Sequence, residues 1–242
     1  MSAVAATRDA LRAELREDSV RAALRGVLDP ELDESIVELE FVERIAIADR
    51  GAASRGASVR VELRLPTYWC APNFSWLMAE DVRETLLRDP RVGEVEVVLN
   101  DHHAAAEISE GVSAGRAFGA VFGGGPDARL GGLRELFRRK ALLVRQERVL
   151  SALGRTNEEL VSLRIDDLPG TDETRAYLAA RAELGLDCSP QAPALTDAAG
   201  RPVPSDSVTG HLRRARLMRV STEGNAAFCR GLLATRYGET RR

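Results

Sequence analysis

The chain has 242 residues, of which 44% are hydrophobic and 29% are charged, and its formal net charge at pH 7 is -3. These values are typical of folded globular domains, so they exclude a chain that is disordered throughout. The charge gives no general attraction to nucleic acid or to an anionic membrane, and no apolar run reaches the roughly 20 residues that span a bilayer. The charged N-terminal segment also differs from an apolar signal peptide. We therefore expect a cytoplasmic protein that has no membrane partner.

Apolar periodicity in the first hundred residues predicts an α-β-β-α-β order. The run VRVELRL alternates as a strand, and it is joined to the preceding strand by a turn-rich hairpin connection. The predicted elements are a helix at 7–27, strands at 36–48 and 57–65, a helix at 73–88 and a strand at 92–99. We predict an α+β fold in which a three-stranded mixed sheet packs against two helices, followed by a mostly helical C-terminal extension.

A glycine-rich segment marks the predicted domain boundary. Residues 109–132 read as a linker, which divides an α/β domain at 1–108 from a helical domain at 133–242. The helical domain is expected to contain helices at 133–153, 157–163, 172–186, 206–219 and 223–236. Thr156 to Glu159 form a capping-box pattern before the second of these helices, and Ser221-Thr222 suit an N-cap before the last.

Cysteine is rare in this chain, with only Cys70, Cys188 and Cys229. The three are too far apart for a Cys-x-x-Cys pair, so a closed structural zinc site is not expected. An odd, low count without a signal peptide indicates reduced thiols. Each thiol is then either a core residue or a thiolate ligand.

Two predicted loops contain the side chains that are candidates for binding a metal. Asp29-Pro30-Glu31 follows the first helix, and Thr67 and Cys70 lie between the second strand and the second helix. In an α-β-β-α-β sandwich both loops can lie at the same end, which would bring carboxylates near a thiol at a helix N-terminus. Such a terminus stabilises an anion, so Cys70 is a candidate metal ligand. From residue type alone, a buried small hydrophobe is an equal alternative.

The segment 18–100 resembles the MIP18-like family, also called the domain of unknown function 59 family, through Asp29-Pro30-Glu31, Thr67 and Cys70 in that order. Members are associated with iron–sulfur cluster assembly and carriage, and some are accessory factors in phenylacetate degradation. The resemblance implies that Cys70 is a metal or cluster ligand. Asp29, Glu31 and Thr67 would then shape the loops around it or support its position.

The motif departs from the family pattern at three points. The Thr67-x-x-Cys70 spacing is one residue shorter than usual, and Ala71 separates the cysteine from Pro72. Glu38-Leu39-Glu40 stands where the family commonly has Asp-Leu-Gly, so this turn lacks the freedom of glycine at positive φ.

Four aromatic residues surround Cys70 in sequence: Tyr68, Trp69, Phe74 and Trp76. They are candidates for a protein-docking surface beside the thiol. An equal alternative is that the rings close the core against the sheet.

Other polar clusters are interpreted as surface features. Adjacent residues on a strand alternate in direction, so His102 and His103 are expected to be exposed and to bind no metal. The basic run 211–216 reads as a solvated helix face. We expect no enzyme, because the sequence lacks a nucleophile elbow, an HExxH motif and a dinucleotide fingerprint.

Together with the family resemblance, these residues predict an accessory protein that assembles or delivers an iron–sulfur cluster or iron centre, with Cys70 as a transient ligand. One thiolate cannot complete the coordination of iron, so we expect a homodimer or a complex with a client metalloenzyme or with assembly machinery. The family resemblance implies a metal-dependent oxygenase as one such client. An interaction scaffold that binds no metal is the main alternative. A regulator that binds nucleic acid through the basic C-terminal helix is the second.

Overall fold

The alternating segments of the N-terminal half pair into a three-stranded mixed sheet in the computed structural model, which describes residues 15–48, 56–123 and 130–238. The chain divides into two units. The first combines the described residues up to Leu130 with those from Ala226 onward, and the second spans Gly131–Asn225. None of the described helices is long and apolar enough to cross a bilayer.

The first unit follows the predicted α-β-β-α-β order with a short hairpin inserted after the first helix. Its elements are α1 (Glu17–Leu24), β1 (Leu28–Asp29), β2 (Glu34–Ser35), β3 (Val42–Ala48), β4 (Ala57–Arg64), α2 (Pro72–Leu87), β5 (Val92–Asn100), α3 (Ala105–Ser113) and α4 (Phe118–Phe122).

Strand β4 is the centre of the sheet, antiparallel to β3 and parallel to β5. Its residue Val61 pairs with Ile45 on one side and with Val97 on the other. All three are buried, while Arg60 on the opposite face forms an ion pair with Glu96. The alternation in VRVELRL therefore separates a core face from a charged face. The predicted α+β class and mixed sheet are confirmed.

The predicted bounds were wrong at two places before the sheet. The first helix begins at Glu17 within the described residues, and residues 7–14 of the prediction lie outside them. The strand expected at 36–48 begins only at Val42, because the preceding residues turn and Phe41 N–H donates to the Ile36 carbonyl at 2.9 Å. Glu40 adopts a φ of 60°, a conformation that costs a residue with a Cβ roughly 1–2 kcal/mol.

Part of the segment expected to be a linker is packed helix. Gly111 lies inside α3, where an added Cβ would meet the ring of Trp76 at 2.5 Å. Phe118 and Phe122, both in α4, lie edge-on to the same ring, at centroid distances of 5.6 and 6.1 Å. Gly111 is therefore required for close approach of α3 to Trp76, whereas the composition had indicated a flexible connection.

The second unit is helical, as predicted for the C-terminal part. Its elements are α5 (Gly131–Ala152), α6 (Asn157–Ser162), α7 (Asp172–Glu183), 3-10 turns at Ile165–Asp167 and Ser205–Ser207, and the first part of α8 (Val208–Tyr237). The predicted capping box is confirmed: Thr156 accepts from the Glu159 N–H at 3.3 Å and donates its own N–H to the Glu159 carboxylate at 2.8 Å.

The core of the second unit contains hydrogen-bonded polar side chains. Gln146 is fully buried and donates to the Tyr177 hydroxyl at 3.1 Å. His211 is also buried, and its Nε2 lies 3.1 Å from the Gln146 Oε1. His211 therefore does not belong to the basic face predicted at 211–216, although Arg213, Arg214 and Arg216 are exposed.

Helix α8 is continuous, so the prediction of two helices at 206–219 and 223–236 was wrong. Ser221 and Thr222 lie inside the helix instead of capping a new one. An N-cap residue contributes only about 1 kcal/mol. Burial of Ala226 and Leu233, which are 0% and 3% exposed, favours continuation of the helix more strongly.

We predict that Leu233→Ala destabilises the first unit by about 2–5 kcal/mol, because Leu233 belongs to its core cluster. The neighbouring Leu232 is only half-buried, so Leu232→Ala is the matched control and should cost much less. The chain has two tryptophans, Trp69 and Trp76, and both lie in the first unit. Denaturant unfolding followed by tryptophan fluorescence therefore measures the stability of this unit. Equal midpoints for the two variants would contradict the assignment of α8 to its core.

Candidate functional site

Asp29 shapes the turn that carries the Asp-Pro-Glu motif. It is buried at the end of β1, and its Oδ1 accepts from the Glu31 N–H at 2.8 Å and the Leu32 N–H at 2.9 Å. These bonds close an Asx turn, which sets the direction of the chain between β1 and β2. Glu31 is exposed beside it. These two bonds support the loop-shaping role expected for Asp29.

Burial raises the pKa of Asp29 from 3.8 to about 6. The hydrogen bonds from the Leu32 and Glu31 N–H groups favour the ionised carboxylate and oppose this effect. The nearby negative charges of Glu31 and Glu34 raise the pKa further. Burial outweighs the two hydrogen bonds, so the folded protein holds the proton of Asp29 more tightly than the unfolded chain does.

Cys70 lies in the loop between β4 and α2, where it is half-buried. Ala71 is the N-cap of α2 in an extended conformation, and Pro72 occupies the first helical turn. The Thr67 Oγ1 lies 3.3 Å from the Cys70 Sγ, within hydrogen-bond distance for sulfur. The shortened Thr67-x-x-Cys70 spacing therefore still brings the hydroxyl to the thiol, directly before a helix N-terminus.

His102 holds the backbone of Cys70 in place. The histidine is only 4% exposed, so the expectation that it would lie on the surface was wrong. Its Nδ1 accepts from the Ala104 N–H at 3.1 Å, which leaves the proton on Nε2. That Nε2–H donates to the Cys70 carbonyl at 2.7 Å, and the Ser75 hydroxyl lies 3.3 Å from the same nitrogen. Burial lowers the pKa of His102, which favours this neutral form.

Three rings form an exposed group beside Cys70, which we call the ring cluster: Tyr68, Trp69 and His103. Trp69 is 74% exposed, and its ring centroid lies 5.2 Å from that of His103 and 4.9 Å from that of Tyr68. Both the N–H and the Nδ1 of His103 lie within hydrogen-bond distance of the Tyr68 carbonyl. A large exposed aromatic surface held by backbone contacts is typical of protein interfaces.

The other two predicted docking residues are less exposed than Trp69. Trp76 is 1% exposed and packs against Phe118 and Phe122 in the core, so its assignment to a docking surface is corrected. Phe74 is half-buried at the start of α2. Spacing along the chain could not separate Trp69 from Trp76, because the helix that starts at Pro72 turns the second ring inward.

Cys229 is the second cysteine of the first unit, and its neighbour Arg230 forms an ion pair with Glu34 in the β1–β2 hairpin. It is half-buried in the part of α8 that belongs to the first unit, and burial raises the pKa of its thiol to about 11. The negative charges of Asp29 and Cys70 raise the pKa further. Cys188 is exposed in the second unit, where its Sγ lies 3.4 Å from the Leu186 carbonyl.

Across residues 15–48, 56–123 and 130–238, no group of three or more His, Cys, Asp or Glu side chains is arranged to hold a metal ion.

Residues 17–97 match the family model described as iron-sulfur cluster assembly protein. This confirms the resemblance of the N-terminal domain to the MIP18-like family, over about a third of the 242 residues. No curated protein and no solved structure matched the chain. The match indicates an accessory role in iron–sulfur cluster assembly, and the family is not one of known enzymes.

The raised pKa of Asp29 predicts a pH-dependent stability of the first unit. The folded state binds this proton more tightly, so the free energy of unfolding should fall as the pH rises from about 4 through about 6. At about 1.4 kcal/mol per pKa unit, the loss is about 2–3 kcal/mol. Asp29→Asn keeps an acceptor for the two N–H groups and should abolish this part of the decline. Denaturant titrations between pH 4 and 7 measure it, with Glu31→Gln as the control that retains most of the decline, because burial and not the Glu31 charge is the largest cause of the raised pKa. If Asp29→Asn declines as steeply as the wild type, another group is responsible.

The two tryptophans should respond in opposite ways to truncation. Trp69→Ala should change the free energy of unfolding by no more than about 0.5 kcal/mol, because the ring is mostly exposed. Trp76→Ala should cost about 3–5 kcal/mol, because it opens a cavity beneath α3 and α4. Denaturation followed by circular dichroism allows the comparison when one fluorophore is missing. A large loss for Trp69→Ala would show that its ring is part of the core.

Proposed function

We propose that this protein assists the assembly or delivery of an iron–sulfur cluster or an iron centre to a client metalloenzyme, with Cys70 as a transient ligand of the cargo. The family match over residues 17–97 carries the proposal. The position of Cys70 supports it, since the thiol is half-buried and lies beside the Thr67 hydroxyl before α2. The N-terminal end of a helix favours negative charge, as on a thiolate-bound iron or cluster.

Incomplete coordination suits a carrier. When one chain binds iron through a single thiolate, the other coordination positions of the iron are open to ligands from a second copy, a small thiol or the client. Thiolates of the client can then replace the Cys70 thiolate, and the cargo moves without a change in its oxidation state. His102 supports this exchange, because it bonds the Cys70 carbonyl and so fixes the backbone without occupying the Sγ.

The ring cluster is the surface that we assign to client recognition. Trp69 is largely exposed, and large aromatic side chains are enriched at protein interfaces. Its proximity in sequence to Cys70 would place the client's ligands next to the cargo. A metal-dependent oxygenase is one class of client implied by the family resemblance, and a cytoplasmic location follows from the same role.

An interaction scaffold that binds no metal is the second candidate. It is favoured by the exposed ring cluster and by the lack of a three-ligand group among the described residues. In that case the same docking surface would act alone, and the Cys70 thiol would contribute only to packing.

Cys70→Ser should lower iron and sulfide retention at least about tenfold after anaerobic reconstitution with iron and sulfide, because serine is a poor ligand in a sulfur-based site. Cys188→Ser is the matched control, since Cys188 is exposed in the second unit and should be dispensable. Iron content and visible absorbance measure retention, and circular dichroism checks the fold. If folded Cys70→Ser retains as much iron as the wild type, or if the wild type retains none, the carrier proposal fails and the scaffold replaces it.

A further inference from the structure

The parallel ladder between β4 and β5 ends directly before the candidate site. Arg64 and Asn100 are its last paired residues. Leu65 then leads into the loop that contains Cys70, and Asp101 leads into the segment that follows β5. The carbonyls of Leu65 and Asp101 lie beyond the last ladder pair, so their hydrogen bonds must come from other donors.

Arg236, in the last turn of α8, donates to both of these carbonyls. Its Nη1 donates to the Leu65 carbonyl at 3.2 Å, and its Nη2 donates to the Asp101 carbonyl at 2.6 Å. The guanidinium is planar, and its N–H groups form a rigid fork. Two bonds from one such group fix the separation of the two carbonyls, as a further ladder pair would. All three residues belong to the first unit.

Asp101 forms a strained turn at one end of this bridge. Its φ is 49°, a value that residues with a Cβ rarely adopt. The turn directs the chain toward His102, whose Nε2–H donates to the Cys70 carbonyl at 2.7 Å, and the following His103 N–H donates to the Tyr68 carbonyl at 3.1 Å. A bond that holds the turn therefore also holds the donors of the Cys70 loop.

The position of Arg236 is itself set by packing. Its guanidinium lies 5.1 Å from the centroid of the Tyr237 ring, and the Arg64 guanidinium lies 5.1 Å from the same centroid. Leu233, about one turn earlier in α8, is 3% exposed and belongs to the core cluster of the first unit. Because the helix and the ring already restrict the side chain, little further freedom is lost when it forms its two bonds.

We propose that Arg236 is a positioning residue for Cys70: its guanidinium takes the place of the next β4–β5 ladder pair and holds the thiol in the conformation that binds the cargo. The inference rests on the proposed carrier function for the identity of the cargo, and it adds a residue that lies outside the family match at 17–97. Arg236 acts through the backbone, since its bonds reach two carbonyls and not the Cys70 sulfur.

A preformed loop strengthens binding of a cargo through Cys70. Ordering a flexible loop opposes binding, because the loop loses conformational entropy. When Arg236 and His102 already hold the two ends of the loop, that entropy is lost at folding and not at binding. Loss of the bridge should therefore weaken cargo binding although the sulfur ligand is unchanged.

Hydrogen exchange of backbone amides, followed by NMR on the full-length protein without cargo, tests the bridge. Arg236→Met keeps the apolar stem and removes the donors, whereas Arg236→Lys keeps the charge but lacks the fork. In both variants the amides of His103 and Ala104 should exchange at least about tenfold faster, because hydrogen bonds from charged groups are the stronger class. The amides of β4 should keep their exchange rates. Arg230→Met is the matched control that should change neither, because Arg230 lies on the same helix but pairs with Glu34.

Anaerobic reconstitution with iron and sulfide links the bridge to the cargo. Arg236→Met should retain at least about tenfold less iron and sulfide than the wild type and the Arg230→Met control, as expected for a residue that supports a metal ligand. Circular dichroism checks the fold of each variant, and Arg236→Lys provides the same test if Arg236→Met does not fold.

Unchanged exchange of the His103 and Ala104 amides in folded Arg236→Met, or wild-type exchange in Arg236→Lys, overturns the bridge. Equal acceleration across β4 also overturns it, because Arg236 would then only stabilise the first unit as a whole. Wild-type iron retention by Arg236→Met overturns its role in cargo binding. If the wild type itself retains no iron, the carrier proposal fails, and the exchange rates still decide whether Arg236 holds the two segments together.

Discussion

The backbone carbonyls of the Cys70 loop need hydrogen-bond donors that the loop itself does not provide. The loop connects a strand to a helix without a ladder partner of its own, and buried or partly buried carbonyls are rarely left unpaired. His102 donates to the Cys70 carbonyl and the His103 N–H donates to the Tyr68 carbonyl. These bonds fix both the thiol and the ring cluster. The conformation of the site therefore depends on the segment that follows β5.

Helix α8 supplies the third constraint on the same region. The Arg236 guanidinium donates to the Leu65 carbonyl before the loop and to the Asp101 carbonyl before the two histidines, at 3.2 and 2.6 Å. One charged group thus joins the segments on which the loop depends. Leu233, in the same helix, is buried, and the burial of its apolar side chain stabilises the helix in this position. Hydrophobic packing and directional hydrogen bonds act together here, because neither alone would set the position of a loop.

The sheet and most helices could be predicted from the sequence because their apolar periods are regular, as in VRVELRL. The β1–β2 hairpin could not, since strands of two residues have no measurable period. The turn before β3 was missed because Glu40 adopts a positive φ that its residue type disfavours. Continuity of α8 through Ser221 and Thr222 was missed because tertiary packing overrode a local capping preference.

The residues of the candidate site also fall into two groups: those that local sequence could predict and those that it could not. Asp29, Thr67 and Cys70 lie in local motifs, and their short-range contacts follow from spacing of a few residues. His102 contacts Cys70 across 32 positions of the chain, and no local sequence pattern predicts such a contact. A helical stripe that includes Ala226, Cys229 and Leu233 is visible in the sequence, yet it shows only that Cys229 shares a buried face.

The groups that position Cys70 and those that carry the family resemblance lie in different parts of the chain. The family match ends at residue 97, whereas His102 and Arg236 lie beyond it. A segment limited to the match would keep the thiol but lose the donors to the carbonyls at both ends of its loop. Because backbone carbonyls without donors turn toward water, the loop would lose its defined conformation. The C-terminal helix is thus part of the site that the family motif only begins to define.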